Sequence, residues 1–377
     1  FVSVRILHLH SSFSLGGKEA RAVRLMNAWG SRASHTIVSG VPDQIGARAA
    51  IAPGINYEIA QNAPSLTGRP SVARFEAIAR YMRRFDLVLT YNWGAIDGVM
   101  AARAFPKGAP PIVHHEDGFN QDEADRMNRA RNWYRRFALG ATQALVVPSV
   151  QLERVAFDVW HQPAARVHRI SNGIAVNSYA KAPRADAIPG FRRRPNEVVI
   201  GSLAGLRAVK DLPLLVRAVG GIAQPVRLVI VGEGPERGAI EDAADAMGID
   251  DRVHLPGFLA DPHRYVGLFD IFALSSQSEQ QPISVMEAMA AGLPVVAPPV
   301  GDVAAMVSEE NRPYLGVDRH EVHLRDRLQA LAADPALRQR IGAANRVRAR
   351  AEFDERRMIA DYAALYERAM RRPGALQ

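Results

Sequence analysis

The 377-residue sequence contains no cysteine, which excludes disulfide bonds, thiolate metal ligands and a cysteine nucleophile. It also lacks any long apolar run. The first apolar stretch, residues 4–9, is short and interrupted by a histidine, so it fits neither a signal peptide nor a membrane span. We therefore expect a soluble, cytoplasmic protein.

The composition is that of a globular protein with a basic balance. Hydrophobic residues make up 48% and charged residues 23% of a chain long enough for two full-sized cores. The formal net charge of +8 favours anionic partners, among them nucleotides, phospholipid headgroups and nucleic acid. Charge alone does not choose among these partners.

Short β-branched runs alternate with helical stretches in both halves of the chain, and a loop rich in Pro, Arg and Ala (residues 180–196) separates the halves. This alternation predicts two doubly wound α/β domains with parallel sheets. The predicted strands are residues 4–9, 35–40, 86–91, 111–115 and 144–149, then 197–203, 226–234, 252–258, 270–276 and 294–299. The tail from about residue 335 is rich in Ala and Arg, and we expect it to be helical and to pack back across the domain junction.

Ligands of open α/β sheets bind beyond the carboxyl ends of the strands, so the loops there are the candidate sites. Gly16-Gly17 follows a strand, where backbone N–H groups can approach an anion, although a tight turn explains the pair equally well. Arg207 and Lys210 lie at a helix entrance and suit phosphate binding or a solvated basic pair. Gly232 follows another strand without the spaced glycine fingerprint of a dinucleotide fold, which favours a simple turn.

Two glutamates separated by seven residues, Glu279 and Glu287, flank the start of another predicted helix. Pro282 suits a first helical turn and Gly292 a C-terminal stop, so we predict a helix over residues 282–291. An acid near the N-terminus complements the helix dipole and explains Glu279. Glu287 falls in an Ala/Met/Val segment that we expect to be largely buried, where a carboxylate needs hydrogen-bond donors such as the vicinal hydroxyls of a sugar.

The stretch SEQQPISVMEAMAAGLPVV, residues 278–296, resembles the E-x7-E signature of retaining glycosyltransferases of the GT-B fold, in the large family called family 4. The resemblance extends along nearly the whole chain, through the Gly16-Gly17 loop, SNGI at 171–174, the VGEGPE loop and RVHLPGF. It implies two Rossmann-like domains facing a cleft, with a C-terminal helix crossing back to the first. The implied boundaries are 1–175 for acceptor binding, 176–355 for nucleotide-sugar binding and 356–377 for that helix.

The resemblance also implies a set of site residues. Nucleotide and diphosphate binding falls to Gly16, Gly17, Arg207, Lys210, Gly232, Phe258 and Glu287. Donor-sugar binding falls to Glu279, Gln280, Gln281, Pro282 and Ile283. The catalytic candidates are Glu279, Asp117 and His115.

Two stretches depart from the family's pattern. Many relatives carry Glu-Gly-Phe-Gly where this chain has Glu279-Gln280-Gln281-Pro282, which bears on the identity of the donor sugar. In IVHHEDGFN, residues 112–120, relatives often place a His-Gly pair near the sugar. Aligning the glycine with Gly118 puts Asp117 at the histidine's position, and either His114 or His115 takes the role instead or only ends the strand as a satisfied polar side chain.

The function implied by the resemblance is transfer of a sugar from a UDP- or GDP-linked donor, with retained configuration, to a glycan, lipid-linked or small-molecule hydroxyl in cell-surface polysaccharide or glycolipid synthesis. No Asp-x-Asp motif follows a predicted strand, and we expect neither a metal, nor a cofactor, nor a nucleic-acid partner. The alternatives are a sugar-nucleotide epimerase, a catalytically silent binding protein on the same scaffold and a nicotinamide oxidoreductase. The missing glycine fingerprint counts against the last.

Residues 125–141 predict a helix with one apolar and one basic face. The apolar face comprises Met127, Ala130, Tyr134, Phe137 and Ala141, and the basic face Arg126, Arg129, Trp133 and Arg136. A basic face with a Trp suits peripheral contact with an anionic membrane, which would place the protein at the inner face of the membrane near a lipid-linked acceptor. The alternative is a solvated face of a helix packed on the core.

Overall fold

The computed structural model describes residues 3–14, 16–118, 123 and 127–377. The chain forms two compact units, of which the first comprises Phe1–Asn172 and Arg357–Gln377 and the second Gly173–Arg356.

In the described part of the first unit, seven parallel strands form one sheet in the order β3-β2-β1-β4-β5-β6-β7. The strands are β1 Val4–His10, β2 Ala33–Ser39, β3 Asn56–Ile59, β4 Leu87–Tyr91, β5 Ile112–His115, β6 Ala144–Val147 and β7 Val167–Arg169. The helices between them are α1 Gly17–Trp29, α2 Val72–Met82, α3 Ile96–Ala104, α4 Arg129–Ala138 and α5 Val150–Asp158.

The central strands of this sheet are buried on both faces, as expected where helices cover a parallel sheet from both sides. Successive residues of β1 face opposite cores: Ile6 packs in the cluster that contains Trp29, and Leu7 in the cluster that contains Ile78 and Val99. Tyr366, near the end of the chain, also belongs to the first cluster. The C-terminal helix therefore completes the core of the first unit.

In the second unit, five parallel strands form a sheet in the order β10-β9-β8-β11-β12. The strands are β8 Val198–Leu203, β9 Val226–Val231, β10 Val253–Gly257, β11 Ile271–Ala273 and β12 Val295–Val296. The helices are α6 Leu212–Gly220, α7 Arg237–Met247, α8 Ile283–Ala291, α9 Val303–Met306, α10 Glu321–Ala333 and α11 Pro335–Glu352, followed by α12 Glu355–Met370, most of which belongs to the first unit.

Each strand predicted from the sequence is present, with shifts at its ends, and the predicted helical tail is confirmed by α11 and α12. Helix α8 begins one residue later than predicted, because Pro282 takes the N-cap position, and it ends as predicted at Gly292 in a left-handed conformation. The edge strands β3 and β7 were not predicted. No helix in the described ranges combines the length and the apolar character needed to cross a bilayer.

Candidate active site

In both sheets the strand order reverses at one point, between β1 and β4 in the first unit and between β8 and β11 in the second. Loops that leave the carboxyl ends of strands diverge at such a point and open a crevice for a ligand. Most of the residues singled out from the sequence lie on these loops, and each unit is described in turn.

In the second unit, the loops that follow β8 and β11 are joined by an ion pair. The Lys210 ammonium donates to a carboxylate oxygen of Glu279 at 2.5 Å, and both side chains are largely shielded from solvent. The Ser276 hydroxyl donates to the same carboxylate oxygen at 2.7 Å, and the Ser275 hydroxyl donates to the Lys210 carbonyl at 2.9 Å. The structure therefore brings together two of the predicted site residues and fixes both.

Arg207 stands on the same loop as Lys210 but is exposed. It precedes a single turn of 3-10 helix, Ala208–Lys210, so the two cations lie three positions apart along the loop. The neighbouring loop after β9 lies against this one. At Gly232, where φ is 151°, an added Cβ would lie 1.8 Å from the carbonyl oxygen of Ala204. Gly232 thus permits the close approach of the two loops.

The E-x7-E stretch continues from Glu279 into α8. Gln280 is buried, and its carbonyl accepts the N–H of Asp302 at 2.8 Å, whereas Gln281 and Ile283 are half-buried at the start of the helix. Glu287, one turn into α8, is half-buried rather than largely buried as expected.

The charge of the Glu287 carboxylate affects the pKa of a tyrosine near α8. Burial raises the pKa of Tyr265, and the Glu287 charge raises it further. Glu287 keeps partial solvent access, so water can also donate hydrogen bonds to its carboxylate.

Phe258 follows β10 directly at the carboxyl edge of the sheet, and 61% of its surface is exposed. An aromatic ring in this position offers a flat apolar face on which a nucleobase can stack. The Gly257 carbonyl accepts the N–H of Gly232 at 2.9 Å, which ties the start of this loop to the one after β9.

In the first unit, Gly16 and Gly17 are exposed at the N-terminus of α1. Gly16 takes the N-cap position in an extended conformation, with no side-chain hydrogen bond to cap the helix. The next two residues, Lys18 and Glu19, form an ion pair, and Glu19 is buried. Burial raises the pKa of Glu19 and outweighs the opposite effect of the Lys18 ammonium.

Asp117 lies two residues beyond β5 in the same unit, where its carboxylate accepts hydrogen bonds from Arg21 of α1. Both guanidinium nitrogens of the Arg21 fork donate to it, the Nη2–Oδ2 distance being 2.8 Å, and the Asp117 N–H donates to Asn92 at 2.7 Å. Burial alone would raise the pKa of Asp117, but the Arg21 guanidinium holds that pKa below its usual range.

His115, the other catalytic candidate of this loop, is buried at the end of β5. Its Nδ1 lies 3.1 Å from the carbonyl oxygen of Thr90 and its Nε2 lies 2.6 Å from the hydroxyl of Tyr366. Since a carbonyl only accepts, Nδ1 carries the proton and Nε2 accepts from Tyr366. Both ring nitrogens are occupied, and burial lowers the pKa of His115 to about 3.

Arg21 and Asn172 are linked to the candidate Asp117 by hydrogen bonds and were not identified from the sequence. The amide oxygen of Asn172 accepts a hydrogen bond from Arg21 Nη1 at 3.0 Å, so Arg21 links the loops after β5 and β7. One signal was available: Arg21 lies one and two turns before Leu25 and Trp29, on a buried face of α1. An arginine on a buried face requires an acidic partner.

Within the described residues, the helix predicted over residues 125–141 begins only at Arg129, as α4, and a single 3-10 turn, Leu139–Ala141, follows it. Arg126 lies outside the described residues. The rest of the predicted basic face is exposed, as expected: Arg129, Trp133 and Arg136.

The apolar face predicted for this helix is wrong at Ala130 and at Phe137, which are both exposed. The helix instead turns Arg135 inward, where it is fully buried. The Arg135 guanidinium lies 3.3 Å from a carboxylate oxygen of Glu116 and donates twice to Glu123 at 3.2 Å. Two buried acids thus hold an arginine in the core and rotate the helix away from its apolar pattern.

The chemistry available at these strand ends is that of binding a diphosphate and hydroxyl groups. Arg207 and Lys210 supply positive charge, and Glu279 supplies a carboxylate for hydroxyl donors. Within the described ranges, no group of three or more His, Asp or Glu residues is arranged to hold a metal ion.

Two family profiles match the chain one after the other. The profile for Glycosyltransferase Family 4 matches residues 15–178, and that for Glycosyl transferases group 1 matches residues 184–348. The chain belongs to the family 4, group 1 glycosyltransferases. The family predicted from the E-x7-E stretch is therefore confirmed.

Among the curated relatives of this chain is the lipopolysaccharide core biosynthesis glycosyltransferase LpsD of Rhizobium meliloti, 28% identical over 41% of this chain and 45% of the relative. D-inositol 3-phosphate glycosyltransferase of Mycobacterium marinum is 25% identical over 81% of this chain and 70% of the relative. The chain spans about half the length of the first curated relatives that it matches.

Solved structures show the same fold. Anabaena HepE in complex with UDP and glucose is similar with a TM-score of 0.78 at 20% identity, over 96% of this chain and 98% of that one. WaaG, a glycosyltransferase involved in lipopolysaccharide biosynthesis, is similar with a TM-score of 0.70 at 13% identity. The predicted α/β GT-B fold with two Rossmann-like units is confirmed.

Proposed function

We propose that this glycosyltransferase moves a hexose from a nucleoside diphosphate sugar, UDP- or GDP-linked, to a hydroxyl group of a glycan, lipid-linked or small-molecule acceptor. The observation that carries the proposal is the Lys210–Glu279 ion pair at the carboxyl ends of β8 and β11. Lys210 and Arg207 bind the diphosphate and Glu279 binds a hydroxyl of the donor sugar. HepE, similar in fold, is a protein that was solved with UDP and glucose, which supports a nucleotide-sugar donor.

The remaining predicted residues receive roles consistent with their positions. Exposed Phe258 stacks on the base, Glu287 binds the ribose, and the N–H groups of Gly16 and Gly17 bind the diphosphate. The Gln280–Ile283 segment contacts the donor sugar and contributes to the choice of sugar.

The transfer proceeds with retained configuration and without a metal. The bond from the anomeric carbon to the leaving diphosphate oxygen breaks, and the acceptor oxygen bonds on the same face. The acceptor proton passes to the leaving phosphate. Two cations and backbone N–H groups offset the charge that develops on the diphosphate. Ionised Asp117, rather than His115, stabilises the positive charge that builds on the sugar, because both nitrogens of His115 are occupied.

The acceptor belongs to the synthesis of a cell-surface polysaccharide or glycolipid. The name of the Rhizobium relative supports a lipopolysaccharide-type acceptor, and that of the mycobacterial relative supports a phosphorylated small molecule. The exposed Trp133 and Phe137 of α4 stand among arginines, with the Arg136 guanidinium 5.2 Å from the Trp133 ring centre. This surface binds an anionic membrane peripherally at its cytoplasmic face, where a lipid-linked acceptor would be reached.

A panel of UDP- and GDP-sugars tests the proposal. The purified protein is incubated with each sugar, thermal unfolding reports binding, and release of UDP or GDP reports turnover. We expect one donor to raise the melting temperature and to release its nucleotide slowly without an acceptor. Conversion of a donor to its epimer would identify a sugar-nucleotide epimerase. Stabilisation without nucleotide release, even with acceptor extracts, would identify a silent binding protein.

A further inference from the structure

Arg21 is buried in the first unit, where its guanidinium contacts Asp117, Asn172 and Tyr362. Only 3% of its side chain is exposed, against 14% for the Asp117 side chain. The guanidinium presents two nitrogens to the two oxygens of the Asp117 carboxylate, which is the fork geometry that only arginine provides. One edge of Asp117 is thereby fixed, and its remaining exposed surface is the part that a ligand can reach.

Arg21 is itself fixed by two further elements. Asn172, after β7, accepts from Nη1 at 3.0 Å, and the guanidinium carbon lies 5.6 Å from the ring centre of Tyr362 on α12. These contacts come from separate parts of the chain and hold the guanidinium in place, so Arg21 can fix the orientation of the Asp117 carboxylate.

The two hydrogen bonds from Arg21 limit the reactions in which the Asp117 carboxylate can take part. Each of its oxygens has two lone pairs, and each uses one of them on Arg21, which leaves one per oxygen for a sugar hydroxyl. An oxygen hydrogen-bonded to a buried cation is a poor nucleophile, because attack on carbon would break a charge-assisted hydrogen bond. The arrangement suits a fixed negative charge.

The geometry points to Arg21 as a positioning residue, which holds the Asp117 carboxylate ionised and in one orientation toward the donor sugar. This inference rests on the proposed function, because the sugar is that of the proposed nucleoside diphosphate donor. The proposed role is separate from binding of the nucleotide, which the proposed function assigns to other residues.

The test compares Arg21→Ala and Arg21→Lys with the wild type, using the donor that releases its nucleotide fastest. We expect kcat of Arg21→Ala to fall roughly tenfold to hundredfold while KM for the donor changes less than about twofold. Guanidinium chloride, at concentrations far below those that unfold proteins, should restore part of the rate when sodium chloride of equal ionic strength does not. The acid limb of the kcat profile should also move to higher pH.

Arg74→Ala is the matched control, because Arg74 forms a comparable part-buried ion pair with Asp97 in the same unit at 2.6 Å. It should lower the melting temperature without changing kcat. Arg21→Lys keeps the charge but loses the fork, so it should remain folded with an impaired kcat, and it replaces Arg21→Ala if that variant does not fold.

The outcomes separate this inference from the proposed function. If the wild type turns over a donor and the Arg21→Ala variant is equally active, the positioning role alone is overturned. A slow variant without guanidinium rescue and with an unchanged pH profile reduces Arg21 to a structural residue and overturns it as well. A wild type that turns over no donor overturns both proposals.

Discussion

The ammonium of Lys210 and the carboxylate of Glu279 lie 2.5 Å apart at the ends of β8 and β11, two strands that are neighbours in the sheet. In the absence of a donor, each charge is the partner of the other. A diphosphate that approaches Lys210 also approaches Glu279, and the two negative groups repel each other. A sugar hydroxyl that donates a hydrogen bond to Glu279 offsets part of this repulsion. Under the proposed function, the pair should therefore favour a complete nucleotide sugar over the bare nucleotide.

Substitution of the two cations after β8 should affect turnover far more than stability. Arg207→Ala removes an exposed side chain and should leave the melting temperature nearly unchanged, whereas Lys210→Ala also deprives Glu279 of its partner and should cost roughly 1 kcal/mol of unfolding free energy. Each lost phosphate contact should cost roughly 1.5–3 kcal/mol of transition-state stabilisation, which lowers kcat/KM about tenfold or more. Steady-state kinetics and urea unfolding measure the two effects.

Arg217→Ala is the matched control for this pair of variants, since Arg217 forms a half-exposed ion pair with Glu321 on the same unit. It should change neither quantity appreciably. Wild-type turnover in both Arg207→Ala and Lys210→Ala would show that this loop does not bind the diphosphate.

Asp117→Asn and His115→Ala should have different consequences. Asp117→Asn keeps the size of the side chain but removes the charge, so turnover should fall at least about tenfold with nucleotide affinity nearly intact. His115→Ala removes a buried ring and leaves the Tyr366 hydroxyl without its acceptor, and should cost roughly 2–4 kcal/mol of unfolding free energy. Calorimetric titration with UDP or GDP, kinetics and urea unfolding distinguish the two. A stable but inactive His115→Ala beside a fully active Asp117→Asn would transfer the catalytic role to the histidine.

The protein should lose stability as the pH falls below the ordinary histidine pKa of about 6.5. Burial lowers the pKa of His115 to about 3 and that of His35 to about 4, and it also lowers those of His8 and His10. Below pH 6.5 the unfolded chain binds protons that the folded chain does not, so the unfolding free energy should fall by roughly 1.4 kcal/mol per pH unit for each such histidine. Urea unfolding at about pH 7.5 and about pH 5 measures the slope.

His10 provides the variant for this test. Its ring is fully buried, stacks on Tyr91 at 4.0 Å and has no hydrogen-bond partner for either nitrogen among the described residues. His10→Ile should reduce the pH slope by one proton, whereas His161→Asn, at an exposed position with a φ of 49° that asparagine tolerates, should not change it. A slope that is the same in all three proteins would show that the buried histidines do not set the acid limit.

The exposed aromatic residues of α4 should carry membrane binding. Trp133→Ser with Phe137→Ser should abolish flotation with anionic vesicles, because the two rings supply the apolar surface that enters the headgroup region. The wild type should float with vesicles that contain phosphatidylglycerol, less so at high salt, and not with phosphatidylcholine alone. Phe258→Ser, which removes an exposed aromatic of the second unit, is the control. Equal flotation of wild type and double variant would exclude this surface.

The central strands could be predicted because they are buried and rich in β-branched residues, whereas the edge strands of the first sheet, β3 and β7, could not. In β3, Asn56 and Glu58 are exposed, and β7 spans only Val167–Arg169, so neither carries a continuous apolar run. The side chains of an edge strand need not be apolar when one flank meets solvent.

The donor-site candidates could be predicted because their spacing along the chain is local, as with Arg207 and Lys210. The Arg21–Asp117 pair could not, since its members are 96 positions apart and only the folded sheet brings them together. The prediction of which face of α4 is buried was wrong for the same reason. Arg135 is held in the core by acids from other segments, and the sequence of the helix itself does not reveal them.

The first unit is discontinuous in sequence, which has a consequence for how the protein is made. During synthesis, residues up to Asn172 leave the ribosome long before α12, whose Tyr362 and Tyr366 cover Trp29 and His115. Until then one side of the nascent sheet has no cover, and its apolar and aromatic residues are available to chaperones. A fragment ending at Asn172 should bind a dye for exposed apolar surface, and a peptide of residues 355–377 added in trans should displace that dye. Packing of α12 is thus the step that closes the unit whose other residues are made first.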